Sequence, residues 1–444
     1  MMKVSVMGTG YVGLVTGVCL AEKGFDVVCV DLDQAKVDKI NRGEAPFFEP
    51  GMEDLLRKLA GKKLRATLDA QEAIRSTDLT LIAVGTPFDG QTIDLTYVKE
   101  TARIIGRAIA AKPDYHVVVV KSTVVPGTTD KVVLPILEET SGKKAGKDFG
   151  VGMNPEFLTE GEAMGDFMDP DRIVLGGIDA RTQDALEALY AGFPDAPRLR
   201  TNNSTAEMIK YASNAMLATL ISFSNELANL GASLGGIDTV DVMRGLHLSR
   251  YLSPLENGKR VEPSVVSFLM AGCGFGGSCL PKDVSALVAY GRANGVPMDV
   301  LNSALSVNAR QPAEVFRLLG KHFPSLKGKR VSVLGLSFRP DTNDMRQSPS
   351  IPIVRRLLEE GAVVSGYDPA ANEEARHVLG DGIRLCTSLE EVLDGAEAVI
   401  LVTRWKEFER VPALLSKNAQ SPVFIDGRRM LKKDSVARYE GIGL

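Results

Sequence analysis

The sequence KVSVMGTGYVG occupies residues 3–13 of this chain. Its first part, residues 3–7, predicts a buried strand, and residues 11–23 predict an apolar helix. Residues 26–31 (DVVCVD) predict a second buried strand. Because a glycine-rich turn joins the first strand to the helix, the three elements form a βαβ unit, which is the usual beginning of a parallel sheet.

The turn between this strand and this helix carries the dinucleotide-binding fingerprint Gly8-Thr9-Gly10-Tyr11-Val12-Gly13. Its glycines permit a tight turn and a close approach of a pyrophosphate, which then faces the helix N-terminus. Asp31 ends the second strand, where a carboxylate accepts hydrogen bonds from a ribose diol and repels a 2′-phosphate. The sequence therefore predicts NAD, rather than NADP, as the cofactor. The candidate cofactor-binding residues of this unit are Gly8, Gly10, Tyr11, Val12, Gly13 and Asp31.

Strands and helices keep alternating after this unit. Apolar runs at 79–84, 116–120 and 149–152 predict further buried strands with helices between them. Residues 206–235 contain no proline and repeat apolar residues at helical spacing, so they predict one long helix. A second α/β pattern begins at 330–338. The expected fold is therefore α/β, with two Rossmann-like, doubly wound parallel-sheet domains joined by a central helical region.

These patterns predict three domains. We expect an N-terminal NAD-binding Rossmann domain over 1–200, a central helical region over 201–324 and a C-terminal Rossmann-like domain over 325–444. The long helix of the central region suits either a spine between domains or a dimer seam, and we expect a homodimer formed through it.

Composition and charge exclude several classes of protein. With 52 Lys+Arg against 56 Asp+Glu the net charge is −4, and no basic block indicates a nucleic-acid partner. No apolar run approaches the roughly 18 residues of a membrane span. No secretory signal pattern precedes the first strand, so we expect a cytoplasmic protein. Four scattered histidines and five cysteines without a C-x-x-C pair predict no metal site.

The loop GFGGSCLPKD, residues 274–283, is the best candidate for reactive chemistry. Its glycines let the backbone approach a ligand closely, and Lys282 and Asp283 follow Cys279 within one helical turn, where a cation stabilises a thiolate. This arrangement indicates an activated nucleophile. Taken alone, Cys279 is more simply a small buried apolar side chain, which is what we expect of the other four cysteines.

Several ordered motifs together resemble one family. They are GTGYVG (8–13), VGTP (84–87), KSTVVPGT (121–128), NPEFLTEG (154–161), AEMIKYASNA (206–215), GFGGSCLPKD (274–283), GLSFRPDTNDMRQSP (335–349) and DGRR (426–429). The chain is similar along essentially its whole length to the nucleotide-sugar 6-dehydrogenases, above all those of UDP-glucose and GDP-mannose.

The resemblance implies oxidation of the C6 hydroxymethyl of a nucleotide sugar to a carboxylate in two hydride transfers, without release of the aldehyde. Cys279 is implied to hold the sugar as a thiohemiacetal and then as a thioester. Lys210 and Asn214, four residues apart on the long helix, share a face and can both reach one oxyanion, although without the resemblance they indicate only a solvated pair. The other implied catalytic residues are Glu156 and Glu160, for acid/base chemistry and substrate contact, and Thr123 and Asp283, for water handling.

The resemblance also implies binding residues. The further NAD contacts are Lys36, Gly85, Thr86, Thr123, Glu160, Lys282 and Arg346. The substrate contacts are Phe157, Leu158, Lys210, Asn214, Arg250, Phe275, Gly276, Cys279, Phe338, Arg339 and Arg428. Arg339 stands where relatives commonly carry lysine, and segment 251–273 is longer than in most relatives, so we expect it to border the sugar pocket.

The expected reaction is the conversion of UDP-glucose to UDP-glucuronate. GDP-mannose and a UDP-N-acetylhexosamine are alternative substrates, although Ser278 resembles the UDP-glucose and GDP-mannose branches, since the N-acetylhexosamine branch usually has histidine before its cysteine. Two more remote alternatives are a two-electron hydroxyacid dehydrogenase of the 6-phosphogluconate type and an NAD-binding sensor. Neither has a use for Cys279.

Overall fold

The computed structural model describes residues 2–416 and 421–444. The chain forms two compact units, Met1–Ser213 and Asn214–Leu444. This division by compactness does not test the three domain boundaries expected above, which stay predictions.

The first unit is built on an eight-stranded sheet. Its strands are β1 (Lys3–Met7), β2 (Asp26–Val30), β3 (Leu64–Thr67), β4 (Leu79–Ile82), β5 (His116–Val120), β6 (Phe149–Met153), β7 (Ile173–Gly177) and β8 (Arg198–Thr201). Their order is β3-β2-β1-β4-β5-β6-β7-β8. All neighbours pair in parallel except β6 and β7, which are antiparallel. The predicted Rossmann sheet is thus confirmed, with one reversed pairing that the sequence did not indicate.

Apolar packing holds the first helix against this sheet. The helices of this part of the chain are α1 (Tyr11–Glu22), α2 (Gln34–Asn41), α3 (Met52–Leu59), α4 (Ala70–Arg75), α5 (Thr96–Ala110), α6 (Leu134–Ser141), α7 (Ala163–Met168) and α8 (Ala180–Leu189). A Cβ at Gly17 of α1 would lie 2.7 Å from the sulfur of Cys29 on β2, so only glycine permits this approach. Leu14 and Val18 of α1 are fully buried in the same core. The position of α1 relative to the strands is therefore closely determined.

The long helix predicted at 206–235 is α9 (Asn203–Leu234). It contains the boundary between the two compact units. Buried residues recur along α9 at helical spacing, from Ala206 to Ala228. Its exposed side nevertheless carries large apolar side chains, which include Met216, Phe223 and Leu230.

The second unit contains a six-stranded, wholly parallel sheet and a separate two-stranded hairpin. The hairpin strands are β9 (Leu255–Glu256) and β10 (Lys259–Arg260), and the sheet strands are β11 (Arg330–Leu334), β12 (Val363–Tyr367), β13 (Arg384–Leu385), β14 (Ala398–Leu401), β15 (Val423–Asp426) and β16 (Tyr439–Gly441). The sheet order is β13-β12-β11-β14-β15-β16. This arrangement confirms the second Rossmann-like pattern.

Helices of the second unit precede the six-stranded sheet and alternate with its strands. They are α10 (Thr239–His247), α11 (Leu280–Ala293), α12 (Asp299–Arg310), α13 (Ala313–Gly320), α14 (Ser350–Glu359), α15 (Asn372–Leu379), α16 (Leu389–Leu393) and α17 (Val411–Leu415). The long segment 251–273 contains the β9–β10 hairpin, whose turn residues Asn257 and Gly258 both have positive φ, 51° and 77°. An Asn-Gly turn of this conformation matches the natural twist of a hairpin.

Candidate active site

The fingerprint turn follows β1 and opens α1. Gly8 has a φ of +95°, and its N–H donates to the carbonyl oxygen of Val30 at 2.8 Å. A Cβ at Gly13 would lie 2.0 Å from the carbonyl oxygen of Gly8, so this position requires glycine. A Cβ at Gly10 would meet no atom within 4 Å, and Gly10 is followed directly by Tyr11 and Val12 in the first turn of α1. The helix N-terminus is therefore open to an anion, as a dinucleotide pyrophosphate requires.

Asp31 lies beside this turn, directly after β2. Its Oδ2 accepts hydrogen bonds from the Thr9 N–H at 2.8 Å and the Thr9 hydroxyl at 2.5 Å, and its Oδ1 accepts one from the Asp33 N–H at 3.1 Å. Partial burial acts to raise the pKa of Asp31, but these hydrogen bonds and the charge of Lys36 hold it below its ordinary value. An ionised carboxylate with remaining acceptor capacity fits a ribose diol.

A buried pair connects α1 to the loop after β6. The Tyr11 hydroxyl donates to the Glu49 carboxylate, and the Gly161 N–H donates to Tyr11 Oη and Glu49 Oε2, both at 2.9 Å. Burial, together with Glu49 and more weakly Glu160, raises the pKa of Tyr11. Glu49 is not among the residues predicted from the sequence. Its only local signal is a carboxylate set between two phenylalanines and a Pro-Gly turn in FFEPG.

Three more of the expected cofactor contacts lie after β4 and β5. Gly85 is exposed, Thr86 is buried, and Thr123 is partly buried. The Thr86 hydroxyl donates to the carbonyl oxygen of Thr123 at 2.8 Å, which connects the two loops. Both loops follow the carboxyl ends of parallel strands, where ligands of doubly wound sheets bind.

A buried ion pair joins the loop after β6 to α9. Lys210 Nζ lies 2.9 Å from Glu156 Oε1, and the two side chains are only 4% and 6% exposed. The Leu158 N–H donates to Glu156 Oε2 at 2.7 Å. Although burial acts to raise the pKa of Glu156, the Lys210 charge and these hydrogen bonds hold it below its ordinary value. The ring of Phe157 lies 5.7 Å from Lys210 Nζ.

Lys121 is a second buried cation in this region, and it is not among the catalytic or binding residues predicted from the sequence. Its ammonium donates to Asn154 Oδ1 at 2.9 Å, and the Tyr190 hydroxyl donates to the same oxygen at 2.5 Å. Burial lowers the pKa of Lys121 to about 8, with opposing contributions from the Glu156 and Lys210 charges. Lys121 and Asn154 are the first residues of the motifs KSTVVPGT and NPEFLTEG. The sequence therefore marked both positions, but it did not indicate that their side chains form a hydrogen bond.

In the second unit, Cys279 directly precedes α11 and is partly exposed. The Ser278 oxygen lies 3.5 Å from its sulfur. Cys279 therefore lies beside the first turn of a helix, whose N–H groups carry partial positive charge. The other four cysteines are buried, as expected, and burial raises the pKa of Cys273.

The glycines before Cys279 pack against the segment after β11. A Cβ at Gly276 would lie 2.2 Å from the carbonyl oxygen of Gln347, and one at Gly277 would lie 2.7 Å from the ring of Phe338. The N–H of Phe275 donates a hydrogen bond to Asn308 Oδ1 at 2.8 Å, which holds the backbone at this position. The loop that carries the cysteine is therefore held at close backbone contact.

Asp283 is the centre of a hydrogen-bonded group on α11 and α9. Its side chain is 1% exposed. Asn214 Nδ2 donates to Asp283 Oδ2 at 2.6 Å, and Lys282 Nζ donates to Asp283 Oδ1 at 2.6 Å. Lys210 and Asn214, which the sequence analysis placed on one oxyanion, thus have different protein partners, Glu156 and Asp283.

The arginines expected to bind substrate or NAD differ in their partners and in their exposure to solvent. Arg428 donates to the carbonyl oxygens of Gly274 at 2.7 Å and Val402 at 2.6 Å, so it braces the cysteine loop. Arg346 forms an ion pair with Asp344 at 2.7 Å. Arg339 is partly buried, and Arg250 is exposed before the hairpin segment.

The structure therefore groups the predicted residues within each unit. The first unit holds the fingerprint, Asp31, Lys36, Gly85, Thr86, Thr123, Glu156, Phe157, Leu158, Glu160 and Lys210, and the second holds Asn214, Arg250, Phe275, Gly276, Cys279, Lys282, Asp283, Phe338, Arg339, Arg346 and Arg428. Across residues 2–416 and 421–444, no helix has the length and apolar character needed to cross a bilayer. Over the same residues, no three His, Cys, Asp or Glu side chains are grouped as metal ligands.

Comparison with known proteins identifies three domains of one family. The chain matches the NAD-binding domain of the UDP-glucose/GDP-mannose dehydrogenase family over residues 2–194, the central domain over 204–310 and the UDP-binding domain over 332–433.

Similar proteins cover nearly the whole chain. The UDP-glucose 6-dehydrogenase AglM of Haloferax volcanii is 42% identical, over 99% of this chain and 100% of its own length. A GDP-mannose 6-dehydrogenase of Pseudomonas savastanoi is 39% identical, over 96% of this chain and 95% of its own. The structure of a UDP-glucose dehydrogenase from Pyrobaculum islandicum has a TM-score of 0.90 at 40% identity, over 100% of this chain and 98% of that chain. The present chain therefore belongs to the UDP-glucose/GDP-mannose dehydrogenase family of NAD-dependent nucleotide-sugar 6-dehydrogenases.

Proposed function

We propose that this enzyme oxidises UDP-glucose to UDP-glucuronate, a four-electron oxidation of the sugar C6, through covalent intermediates on Cys279. The observation that carries the proposal is the position of Cys279, which is partly exposed at the N-terminus of α11 while its four counterparts are buried. A two-electron oxidation would not need a nucleophile there.

NAD⁺ supplies the hydride acceptor for both oxidations. The open N-terminus of α1 would bind the pyrophosphate of NAD, and Asp31 would bind its ribose diol. Lys36, Gly85, Thr86, Thr123, Glu160, Lys282 and Arg346 are proposed as its further contacts.

Cys279 makes and breaks the covalent bond to the sugar. Its thiolate attacks C6 of the aldehyde left by the first oxidation, so that a C–S bond forms and the carbonyl oxygen becomes the oxyanion of a thiohemiacetal. The second oxidation converts this adduct to a thioester. Water then attacks the thioester carbon, the C–S bond breaks, and the carboxylate and the Cys279 thiolate are released together with the two protons of the water.

Lys210 is proposed to stabilise negative charge that develops on the sugar oxygen. Its buried ion pair with Glu156 supports this role, because the two groups lie 2.9 Å apart and the Lys210 charge acts to lower the pKa of Glu156. A preformed cation in a water-poor site contributes more to an oxyanion than the same cation in solvent. Glu156 and Glu160 are proposed for acid/base chemistry and substrate contact, and Asn214 as a second donor to the oxyanion.

Asp283 is proposed to orient the water that hydrolyses the thioester, and Thr123 to assist in handling water. The hydrogen bonds from Asn214 and Lys282 fix the Asp283 carboxylate in one orientation. Because Asp283 lies one turn after Cys279 on the same helix, its N–H donates to the carbonyl oxygen of Cys279 at 2.8 Å. This hydrogen bond fixes the backbone spacing between the nucleophile and this carboxylate.

The substrate contacts remain proposals residue by residue. Phe275 and Gly276 belong to the cysteine loop that Arg428 braces, and the contact of Arg428 with Gly274 supports a role in holding this loop as well as in binding the diphosphate. Phe157, Leu158, Arg250, Phe338 and Arg339 are proposed to contact the nucleotide sugar, and 251–273 to border the sugar.

UDP-glucose is preferred as the substrate because a UDP-glucose 6-dehydrogenase at 42% identity and a UDP-glucose dehydrogenase structure at TM-score 0.90 resemble the chain over its whole length. GDP-mannose is the second candidate, favoured by the 39% identity to a GDP-mannose 6-dehydrogenase. We also propose a homodimer formed through α9. We propose a cytoplasmic location as well, which the five free cysteines support.

A panel of UDP-glucose, GDP-mannose, UDP-N-acetylglucosamine and UDP-N-acetylmannosamine, with NADH absorbance as the readout, tests the substrate assignment. We expect the highest kcat/KM with UDP-glucose. A higher value with GDP-mannose would transfer the assignment to that sugar, and no NADH from any of the four would refute the proposed activity.

A further inference from the structure

A cleft in the first unit lies at the edge of the sheet opposite the fingerprint. Its volume is about 520 Å³, and residues that precede β5 and β6 line it, among them Tyr115, Lys143 and Lys147. In a parallel sheet the residues before these strands lie at the amino edge, whereas the fingerprint, Asp31 and Thr123 follow the carboxyl ends. This cleft is therefore separate from the proposed NAD site.

The side chains that line the cleft carry more positive than negative charge, although the chain has a net charge of −4, and Asp78 and Asp114 act on Lys112 from outside the lining. Lys112, Lys143, Lys147 and Arg181 line it, with Asp148 as the one carboxylate among the lining residues. The Asp148 carboxylate already accepts a hydrogen bond from the Lys144 N–H at 2.9 Å. Unpaired cations gathered in a concave site repel one another, and a bound anion relieves that repulsion.

Two of the four cationic side chains are hydrogen-bonded to protein atoms, and the other two are available to a ligand. Lys112 is 8% exposed, and its ammonium lies 3.0 Å from His116 Nδ1. Lys143 donates to the carbonyl oxygen of Lys112. Within residues 2–416 and 421–444, neither Lys147 nor Arg181 has a side-chain hydrogen bond or an ion pair.

Arg181 is held ready for an anion by an aromatic ring. Its guanidinium carbon lies 3.3 Å from the centroid of the Tyr115 ring, so the two groups stack closely. Stacking restricts the guanidinium while its N–H groups remain unbonded to protein. A planar fork of donors with few accessible orientations matches the oxygens of a phosphate group and loses little entropy on binding it.

We propose that this cleft binds a small phosphate-bearing molecule, with Arg181 and Lys147 as the ligands of its phosphate and the Tyr115 face of the cleft against its remainder. The volume lies within the roughly 300–1,000 Å³ range of small-molecule sites, which is large enough for a nucleotide. This proposal is independent of the proposed oxidation, since none of these residues takes part in that chemistry.

Titration calorimetry with inorganic tripolyphosphate tests the proposal. The enzyme is held in saturating NADH and UDP, so that the phosphate-binding sites of the family are filled before the titration. We expect about one tripolyphosphate per chain, bound more weakly as salt rises, and affinity at least about tenfold lower in the double variant Lys147→Glu/Arg181→Glu. Lys62→Glu, a charge reversal at an exposed lysine before β3, is the matched control and should bind as the parent does.

A second titration with ATP distinguishes the sources of the phosphate. Tighter binding of ATP than of tripolyphosphate assigns the site to a nucleotide, and equal binding assigns it to the phosphate chain alone. The variant Lys147→Gln/Arg181→Gln, which removes the charges without reversing them, repeats the comparison if the acidic variant does not fold. Absence of tripolyphosphate binding by the parent enzyme, or equal binding by the parent and a folded double variant, would overturn the proposal.

Discussion

Two cysteines six residues apart lie in different surroundings. Cys279 is partly exposed at the start of α11. Cys273 is fully buried, and its sulfur lies 3.8 Å from the carbonyl oxygen of Val402. Burial raises the pKa of Cys273, whereas Cys279 lies beside the partial positive charge of a helix N-terminus.

Replacement of Cys279 by serine should abolish turnover. A serine hydroxyl is far less acidic and an alkoxide leaves an acyl intermediate less readily, so we expect kcat to fall by roughly a thousandfold or more, with substrate affinity within a few-fold of the parent. Steady-state NADH production and a binding titration measure the two effects. Cys273→Ser is the matched control and should lose stability rather than turnover. Substantial multi-turnover activity in Cys279→Ser, or its loss in Cys273→Ser alone, would disprove the assignment.

The carboxylate of Asp31 should determine the preference for NAD. Asp31→Asn retains an acceptor for Thr9 but removes the negative charge that repels a 2′-phosphate, so the ratio of kcat/KM for NADP to that for NAD should rise about tenfold. Asp38→Asn makes the same charge change on the exposed side of α2 and should leave the ratio unchanged. An unchanged ratio in Asp31→Asn would show that this carboxylate does not face the ribose.

At the scale of elements, a buried carboxylate connects α9 to the loop after β5. Glu207 accepts hydrogen bonds from the Gly127 N–H at 2.5 Å and from the Thr129 N–H and hydroxyl, each at 2.7 Å. Burial raises the pKa of Glu207 from 4.5 to about 7, against the opposing effect of these donors. The helix that carries Lys210 and the loop that carries Thr123 are thus held together by a titratable group.

This connection should make folding stability depend on pH. Because the pKa of Glu207 is higher in the folded than in the unfolded chain, its contribution is complete below about pH 4.5 and is lost as pH rises through about 7, by an amount on the order of 3 kcal/mol. Glu207→Gln should remove this part of the slope in denaturant unfolding across that range. Glu226→Gln, at an exposed position of the same helix, should keep it. Equal slopes in all three proteins would contradict the assignment.

The exposed side of α9 should form the dimer seam. Met216, Phe223 and Leu230 are 52%, 45% and 55% exposed and recur every seven residues, so they lie on one face of the helix. Phe223→Glu/Leu230→Glu should shift the protein from dimer to monomer in light scattering coupled to gel filtration. Val363→Glu, which alters an exposed apolar residue of β12, should leave the mass unchanged. A parent monomer, or a dimer unaffected by the double change, would contradict the prediction.

At the scale of the whole molecule, the two Rossmann-like sheets use their acidic residues differently. Asp31 keeps acceptor capacity beside the fingerprint. Its counterpart after β12, Asp368, is 1% exposed, and its Oδ2 accepts hydrogen bonds from the Leu336 N–H at 2.7 Å, the Ser337 N–H at 2.9 Å and the Trp405 Nε1–H at 3.1 Å. Protein donors therefore occupy the carboxylate that a dinucleotide ribose would need, which restricts this mode of NAD binding to the first sheet.

Much of this architecture could be predicted from periodicity. The β1-α1-β2 unit, α9 and the four strands β11, β12, β14 and β15 follow from apolar runs and helical spacing, which are local properties of the sequence. The antiparallel pairing of β7 with β6 could not be predicted, since strand direction in a sheet depends on the path of the connecting chain rather than on side-chain alternation.

The contacts of the candidate site were less accessible to sequence reasoning. Glu49 is hydrogen-bonded to Tyr11, which is 38 residues away in the sequence, and Lys121 is hydrogen-bonded to Asn154, which is 33 residues away. Such pairs leave no periodic signal, because only the fold brings their side chains together. The residues of the cysteine loop could be named in advance, but the brace of Arg428 on Gly274 required the structure.

The number of NADH molecules formed per sugar distinguishes a four-electron from a two-electron oxidation. A limiting amount of UDP-glucose is consumed to completion with excess NAD⁺, and NADH absorbance is compared with product quantified by chromatography. A thiohemiacetal on Cys279 commits each aldehyde to the second oxidation, so the account predicts two NADH per UDP-glucuronate and no free aldehyde. A ratio of one, with an aldehyde or ketone accumulating, would contradict the four-electron mechanism and the role of Cys279.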